Sequence, residues 1–313
     1  MTAPVLITGA SGFAGRHLAA ACTAAGDGVV AVSRSGEVAA DLRDPEAARS
    51  AVAAARPRVV YHLAALAHVG ASWRDPAGTL HDNVAITLNV LEAVRLEAPE
   101  ATVVALGSSE VYGPPARLPV DEAARLRPQN PYAVSKAAAD LLAGFYADAH
   151  GLRVIRARPF NHAGPGQQPT YAIASFARQL AGALEAGEEP ARIVTGNPDT
   201  RRDYTDVRDV VRAYRLLAEH AQPGVYNVCS GRTASAAELV AMLAEVGGVR
   251  VEHEIDEALL RPHEVMELRG ANEVLVTATG WEPEIPLART LADTVAWWRE
   301  ELRAGRAGDR MTE

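Results

Sequence analysis

Two residues four apart open the chemical reading. In NPYAVSK, Tyr132 and Lys136 follow Pro131, which suits the first position of a helix, so the pair falls on one helical face within mutual reach. A phenol with a reference pKa of about 10 is a poor acid–base group at neutral pH. An adjacent ammonium favours the phenolate and brings it towards working range. Of the 31 basic residues 30 are arginine, and Lys136 is the one lysine. Where charge alone would serve, this chain uses arginine; a lysine kept at one position points to a compact ammonium doing what a planar guanidinium cannot. The plain alternative is chance survival. Ser108 closes the apolar run from Thr102, where it can hydrogen-bond the same substrate oxygen as Tyr132, and Glu110 adds a carboxylate two positions on.

Upstream, ITGASGFAG sets Gly9, Gly12 and Gly15, with Phe13 among them, directly after the first apolar run and at the mouth of the first amphipathic stretch. One glycine suits a tight turn, one the close approach of a pyrophosphate, and one the packing of helix on sheet, while the helix N-terminus offers free N–H groups to phosphate. Alone, such a triplet is an ordinary turn; its place between strand and helix makes it a dinucleotide loop. A bound nicotinamide would exchange hydride with a carbon whose oxygen exchanges a proton with Tyr132. The second apolar run ends AVSRSG, with Ser33 and Arg34 where an acidic residue commonly meets the ribose of NAD. The expected cofactor is therefore NADP(H), with NAD(H) second; the alternative is a solvated Arg34. In HLAA, Leu63, Ala64 and Ala65 are expected to line the cofactor, and His62 reads equally as a buried structural group or a chemical one.

These residues need elements to position them. Val5 to Thr8, Val29 to Ser33, Val59 to Leu63, Thr102 to Ser108 and Val154 to Arg158 read as buried strands, with helices near 15–25, 45–56, 82–97 and 131–148 between them. The alternation predicts an α/β fold, a Rossmann doubly wound parallel sheet. After Arg158 the texture changes to RPFNHAGPGQQPTY, which breaks the rhythm and opens a second region. A helical pattern at 206–219 and a strand at 225–228 return the chain to the first sheet, and EEPARIVTGNPDTRRDY reads as a strand plus an exposed loop. The expected organisation is a dinucleotide-binding domain from 1–160 and 205–230, a smaller C-terminal α/β substrate domain from 161–204 and 231–303, and a fraying tail at 304–313.

Bulk composition removes several classes of function. A formal net charge of -8 disfavours nucleic acid, whose phosphates are bound through excess Lys and Arg. Cys22 and Cys229 stand far apart without zinc-type spacing, so neither a disulfide framework nor a structural metal is expected. No stretch reaches the roughly 20 apolar residues that cross a bilayer, and the N-terminal residues show no basic region followed by an apolar core, so no targeting segment is expected. The expectation is a cytoplasmic protein without membrane or nucleic-acid partners.

Longer motifs then name a likeness. GSSEVYG at 107–113, NPYAVSK at 130–136, RPFNHAGPGQ at 158–167, RRDYTDVRDVVRAY at 201–214, YNVCSG at 226–231 and RPHEV at 261–265, with the G-x-x-G-x-x-G loop, resemble the sugar-nucleotide epimerase/dehydratase branch of the extended short-chain dehydrogenases. The likeness runs to about residue 300 and is strongest to GDP-4-keto-6-deoxy-D-mannose reductases, then to GDP-mannose 4,6-dehydratases. It implies a nucleotide-sugar substrate, with Ser108, Tyr132 and Lys136 as the catalytic triad. It implies Asn161 at the nucleotide diphosphate, Arg202 and the pair Arg261 and Glu264 at phosphate, ribose or base, and Ser109 at the substrate. Asp41 and Leu42 match positions flanking the adenine, and relatives dimerise through the helices near 82–97 and 131–148. Asp206 and Asp209 read as caps or partners of Arg208 or Arg212, and Trp73 and Tyr112 as packing around the substrate mouth.

Glu110 divides the functional readings. Dehydratases of this branch carry Glu two positions after the catalytic Ser or Thr, as a base at C5, yet the reductases share the same SSE pattern. Reduction of a C4 keto group, giving GDP-D-rhamnose from GDP-4-keto-6-deoxy-D-mannose, is placed first, 4,6-dehydration second and 4-epimerisation third. The non-enzymatic alternative is a regulator that senses NADP(H) on the same fold. Such a protein has no reason to keep Ser108, Tyr132 and Lys136 together.

Overall fold

Short runs of Val, Ile, Leu and Ala become the strands of a seven-stranded parallel sheet in the computed structural model, which describes residues 3–36, 38–260 and 264–305. By its contacts the chain divides into two compact units: Met1–Phe160 with Val210–Val228 and Gly270–Glu282, and Asn161–Asp209 with Cys229–Arg269 and Pro283–Glu313. The return at Gly270–Glu282 is a feature the sequence reading did not contain. It is held by a parallel bridge between Val120 and Gly270 and by the fully buried Trp281.

The first unit has β1 (Val5–Thr8), β2 (Val29–Ser33), β3 (Val38–Ala39), β4 (Val59–His62), β5 (Thr102–Leu106) and β6 (Arg153–Pro159), with Gly224–Val228 beyond β6 at one edge. Across the sheet the order is Gly224–Val228, β6, β5, β4, β1, β2, β3, so the winding reverses between β4 and β1. Parallel strands covered on both faces read as continuous apolar runs, which is why β1 and β4 are buried at every position. The helices are α1 (Phe13–Ala24), α2 (Pro45–Ala55), α3 (Val69–Arg74), α4 (Pro76–Glu97) and α5 (Pro131–His150). Leu6, Val32, Val60, Val90, Val94, Val103 and Val154 form one core with Ala143 and Tyr146 of α5.

The Rossmann architecture is as the sequence reading expected, with two local differences. The helix expected from residue 82 starts at Pro76, because Asp75 caps it through Gly78 N at 2.9 Å and proline suits its first position. The strand expected to reach Ser108 stops at Leu106: Gly107 N still bonds Ala157 O at 2.8 Å, and the chain then turns. α5 is bounded as its sequence implies, by the Asn130 side chain on Ala133 N at 2.8 Å and by Gly151 at φ +69.

In the second unit, Arg201–Asp206 pairs antiparallel with Thr233–Ser235 and parallel with Glu267–Leu268 and Asn161–Ala163. Ala191–Thr195 pairs with Val251–Ile255. Helices Ala172–Ala186, Ala236–Gly247 and Leu287–Arg303 bury Phe176, Leu180, Leu239, Leu243, Leu291 and Trp298 in a core of its own. Of the expected tail, residues 306–313 lie outside the described residues. Among the described residues no helix is long and apolar enough to cross a membrane, and no cluster of His, Cys, Asp or Glu could hold a metal ion.

Candidate active site

The reversal between β1 and β4 is where open wound sheets take ligands. There the loop after β1 meets the end of β4 so closely that a side chain on Gly9, at φ +69, would stand 2.8 Å from Ala64 N. A side chain on Gly15 would stand 2.2 Å from Gly9 O. Backbone packing therefore requires both glycines. Gly12 is different: it is exposed, at the N-terminus of α1, where no side chain caps the helix. That cradle, with its uncapped first-turn amides, fits a pyrophosphate. Phe13 is half-buried, edge-on to His17, and Leu63, Ala64 and Ala65 are half-buried at the end of β4.

Ser33 is buried at the end of β2 and Arg34 is exposed in the turn after it. Asp41 is engaged by Arg43, whose Nε and Nη2 donate to it at 2.9 and 2.6 Å and hold its carboxyl down at about 2. Leu42 turns inward to the core, so its side chain packs the fold. Arg43, overlooked in the sequence because it follows two residues chosen by resemblance, is a second guanidinium beside the β2 turn. Asp41 and Asp82 take up its charge, and Arg34 stands exposed in that turn.

Ser108, extended at φ −164 and ψ 147, starts the tight turn Ser109–Tyr112. Its Oγ accepts from Glu110 N at 3.2 Å, which directs its own proton towards an acceptor such as a carbonyl oxygen. Glu110 Oε2 accepts from Asn130 Nδ2 at 3.0 Å. Tyr132 lies in the first turn of α5 and Lys136 in the second, 8% and 7% exposed. Lys136 Nζ donates to Leu106 O at 2.6 Å. Burial pushes this ammonium down to about 8, and the Asp140 carboxylate opposes the shift. Lys136, Ser108 and Glu110 thus meet at the carboxyl end of β5, with Tyr132 one turn before Lys136 on α5.

Several supporting residues were not legible. Asn83 of α4 bonds Leu66 on both its amide groups, at 2.7 and 3.1 Å, and donates to Ser135 Oγ at 2.8 Å, joining the segment after β4 to α5. His62 takes the structural role: buried between Thr8 Oγ1 at 2.9 Å and Thr87 Oγ1 at 3.2 Å, it is pushed down to about 3 by burial and then by Lys136, so it stays neutral. Tyr112, expected at a mouth, is 1% exposed and interior, while Trp73 is 62% exposed. The hydroxyl of Tyr112 donates to Asn227 Oδ1 at 2.7 Å and accepts from Arg158 at 3.0 Å.

In the second unit, Asn161 is exposed and stands opposite Tyr204 in the ladder. Arg202 Nη1 donates to Arg201 O at 2.9 Å and Val265 O at 2.7 Å, which fixes it beside the segment that begins with the half-buried Glu264. Arg261 lies outside the described residues. Asp206 accepts from Arg208 Nη2 and Thr290 Oγ1 at 2.7 and 2.8 Å, and Asp209 from Glu284 N and Ile285 N at 3.0 and 2.8 Å; both are structural partners.

Residues 5–229 match the NAD dependent epimerase/dehydratase family. The chain is 39% identical to a GDP-6-deoxy-D-mannose reductase of Pseudomonas aeruginosa, over 97% of this chain and 99% of that protein. It is 27% identical to a GDP-mannose 4,6-dehydratase of Yersinia enterocolitica, over 82% of this chain and 77% of that one. Among solved structures, RMD from Pseudomonas aeruginosa complexed with NADPH superposes with a TM-score of 0.87 at 38% identity, over 96% of this chain and all of that one.

Proposed function

The chain belongs to the NAD-dependent epimerase/dehydratase family, and from that premise we propose that it is an NADPH-dependent reductase of a nucleotide-activated 4-keto-6-deoxy sugar, converting GDP-4-keto-6-deoxy-D-mannose to GDP-D-rhamnose. The observation that carries the reading is the buried Lys136 on the Tyr132 face of α5, its Nζ held at 2.6 Å by the carbonyl that precedes Gly107 and Ser108. Bound NADPH would supply hydride to C4 of the sugar. Ser108 donates a hydrogen bond to the C4 oxygen, and Tyr132 delivers the proton to that oxygen as the negative charge develops. The Lys136 ammonium stabilises the phenolate left behind. Near-complete burial of Tyr132 and Lys136 keeps bulk water from weakening these charges.

For the cofactor, the Gly9–Gly15 cradle and α1 take the pyrophosphate with Phe13, Leu63, Ala64 and Ala65 alongside, and Ser33 and Arg34 take the 2′-phosphate. The similarity to a structure complexed with NADPH supports this choice, with NADH as the weaker donor. Asn161, Arg202, Arg261, Glu264 and Ser109 are assigned to the nucleotide sugar; Arg suits a diphosphate by charge-assisted forks and Glu suits ribose hydroxyls or guanine nitrogens. Buried thiols at Cys22 and Cys229, outside any disulfide among the described residues, suit a cytoplasmic enzyme. Exposed Val134, Leu141 and Phe145 recur on one face of α5, and Leu80 and Leu88 are exposed on the adjoining α4. This apolar surface is assigned to a homodimer, which sedimentation would detect as twice the chain mass.

A dehydratase is the second reading, favoured by one observation, the Glu110 carboxylate two residues beyond Ser108. Incubation with GDP-mannose and with its 4-keto-6-deoxy product, each with and without NADPH, separates the readings by product. Reduction of the keto sugar alone supports the reductase. Consumption of GDP-mannose supports the dehydratase, and cofactor binding without turnover of either supports a regulator.

A further inference from the structure

Behind the catalytic residues lies a buried ion pair that the proposed chemistry does not use. Asp140 stands one helical turn beyond Lys136 on α5 and is 4% exposed. Both its oxygens are taken by Arg158 of β6, through Nε at 3.0 Å and Nη2 at 2.8 Å, and Arg156 Nη1 adds a contact at 3.3 Å. Arg158, also 4% exposed, turns its remaining Nη1 to the Tyr112 hydroxyl at 3.0 Å and to Glu122 O at 3.4 Å. Its guanidinium lies 5.2 Å from the centre of the Tyr112 ring.

Tyr112 ends the turn that Ser108 begins. At the entry to that turn, a side chain on Gly107 would stand 3.3 Å from Arg158 Cγ and 3.5 Å from Asp140 Oδ1, so the backbone crosses directly over the pair. Leu106, one residue earlier, is the acceptor of Lys136 Nζ. The segment bearing Ser108 and Glu110 therefore rests on the ion pair at both ends, and Lys136 is anchored to the same segment.

We infer that Asp140 and Arg158 are positioning residues for the catalytic site, acting on Lys136 from α5 and on the Ser108–Tyr112 turn from β6. The inference rests on the proposed roles of Ser108, Tyr132 and Lys136. A buried ion pair is a weak source of stability, since desolvation offsets much of its attraction, so its presence at this spot calls for another reason. The groups facing Lys136 supply one. On β4 is His62, neutral between two threonines; on α5, one turn before and one turn after Lys136, are Tyr132 and Asp140. Burial weakens the ammonium's hold on its proton, and the opposing charge is that of Asp140. The Arg158 fork fixes where that carboxylate points, with Arg156 behind it, and a rotated Asp140 would no longer serve.

The single lysine makes a direct test practical. Protein produced with lysine labelled at the ε-carbon gives one side-chain resonance, whose pH titration reports Lys136 without any turnover. We expect Asp140→Asn to lower that titration midpoint by about one pH unit. The alkaline limb of kcat for keto-sugar reduction should move down with it, and kcat at pH 7 should fall by about twofold or more while KM for NADPH changes less than about twofold. Asp140→Glu should restore most of the midpoint. The double variant Asp140→Asn/Arg158→Met removes the stranded buried cation, so it carries the test if the single variant unfolds; it should regain stability but keep the lowered midpoint. An unmoved midpoint in either folded variant, or wild-type kcat and pH profile in the double variant, overturns the inference. A wild-type protein that reduces no sugar nucleotide would defeat the functional reading instead, and the titration would still decide this one.

Discussion

Asn130 ties Glu110 to the helix that carries Tyr132. Its Nδ2 donates to Glu110 Oε2 at 3.0 Å while its Oδ1 accepts from Ala133 N at 2.8 Å, so one amide side chain caps α5 and holds the carboxylate at the positive end of the helix. Glu110 is thereby held in place through one of its carboxylate oxygens.

From that relationship follows a separation of activities. In Glu110→Gln, reduction of the 4-keto sugar should survive within about threefold, whereas any dehydration of GDP-mannose should collapse, because only elimination needs a base at C5. Asn130→Ala should lower stability by about 1 kcal/mol through the lost cap and should impair reduction more than Glu110→Gln does, since it loosens the start of α5. Product analysis and denaturant melts on the two variants check this; equal loss of both activities in Glu110→Gln would show a purely structural glutamate.

On the proposed assignment, cofactor choice turns on Arg34. It is exposed directly after β2, while its neighbour Arg43 is occupied by Asp41 and Asp82. Arg34→Asp should raise KM for NADPH by about 10- to 100-fold, the loss of a charge-assisted phosphate contact, and should improve use of NADH. A wild-type enzyme with clearly higher kcat/KM for NADH would contradict the assignment.

The pH dependence should separate activity from stability. Lys136 sits at about 8 in the folded protein against an ordinary 10.5, with burial as the main cause. Activity that needs the ammonium should decline above about pH 8. Between about 8 and 10.5 the unfolded chain binds this proton and the folded one does not, so the contribution of Lys136 to stability rises with pH across that window. Lys136→Met should accordingly be inactive but more stable than wild type at pH 7, with the gap closing towards pH 10. Rate profiles and denaturant melts on the two proteins measure both effects; a rate that holds level to pH 10 would contradict the role of the ammonium.

What could be read in advance was whatever local chemistry dictates. Gly9, Tyr132 and Lys136 announce themselves through spacing and flanking elements, and Pro131 through its fit to the start of a helix. The Asp140–Arg158 pair did not, because its partners are 18 residues apart and meet only when α5 lies against β6; in sequence each is one more charge in an arginine-rich chain. Tyr112 was misread for a related reason. A tyrosine after a catalytic loop suits a mouth until a buried guanidinium and Asn227 are found to claim its hydroxyl.

The central claim is transfer of a hydride from NADPH to C4 of a keto sugar, with the proton supplied through Tyr132 and Lys136. The most direct measurement follows deuterium from NADPH doubly deuterated at nicotinamide C4 into GDP-4-keto-6-deoxy-D-mannose. The account predicts one deuterium at C4 of a GDP-D-rhamnose product with the wild-type enzyme, and loss of most of that transfer in Lys136→Arg, which keeps the charge but cannot place it at the same point. Absence of deuterium at C4, or undiminished transfer by a stably folded Lys136→Arg, would contradict it.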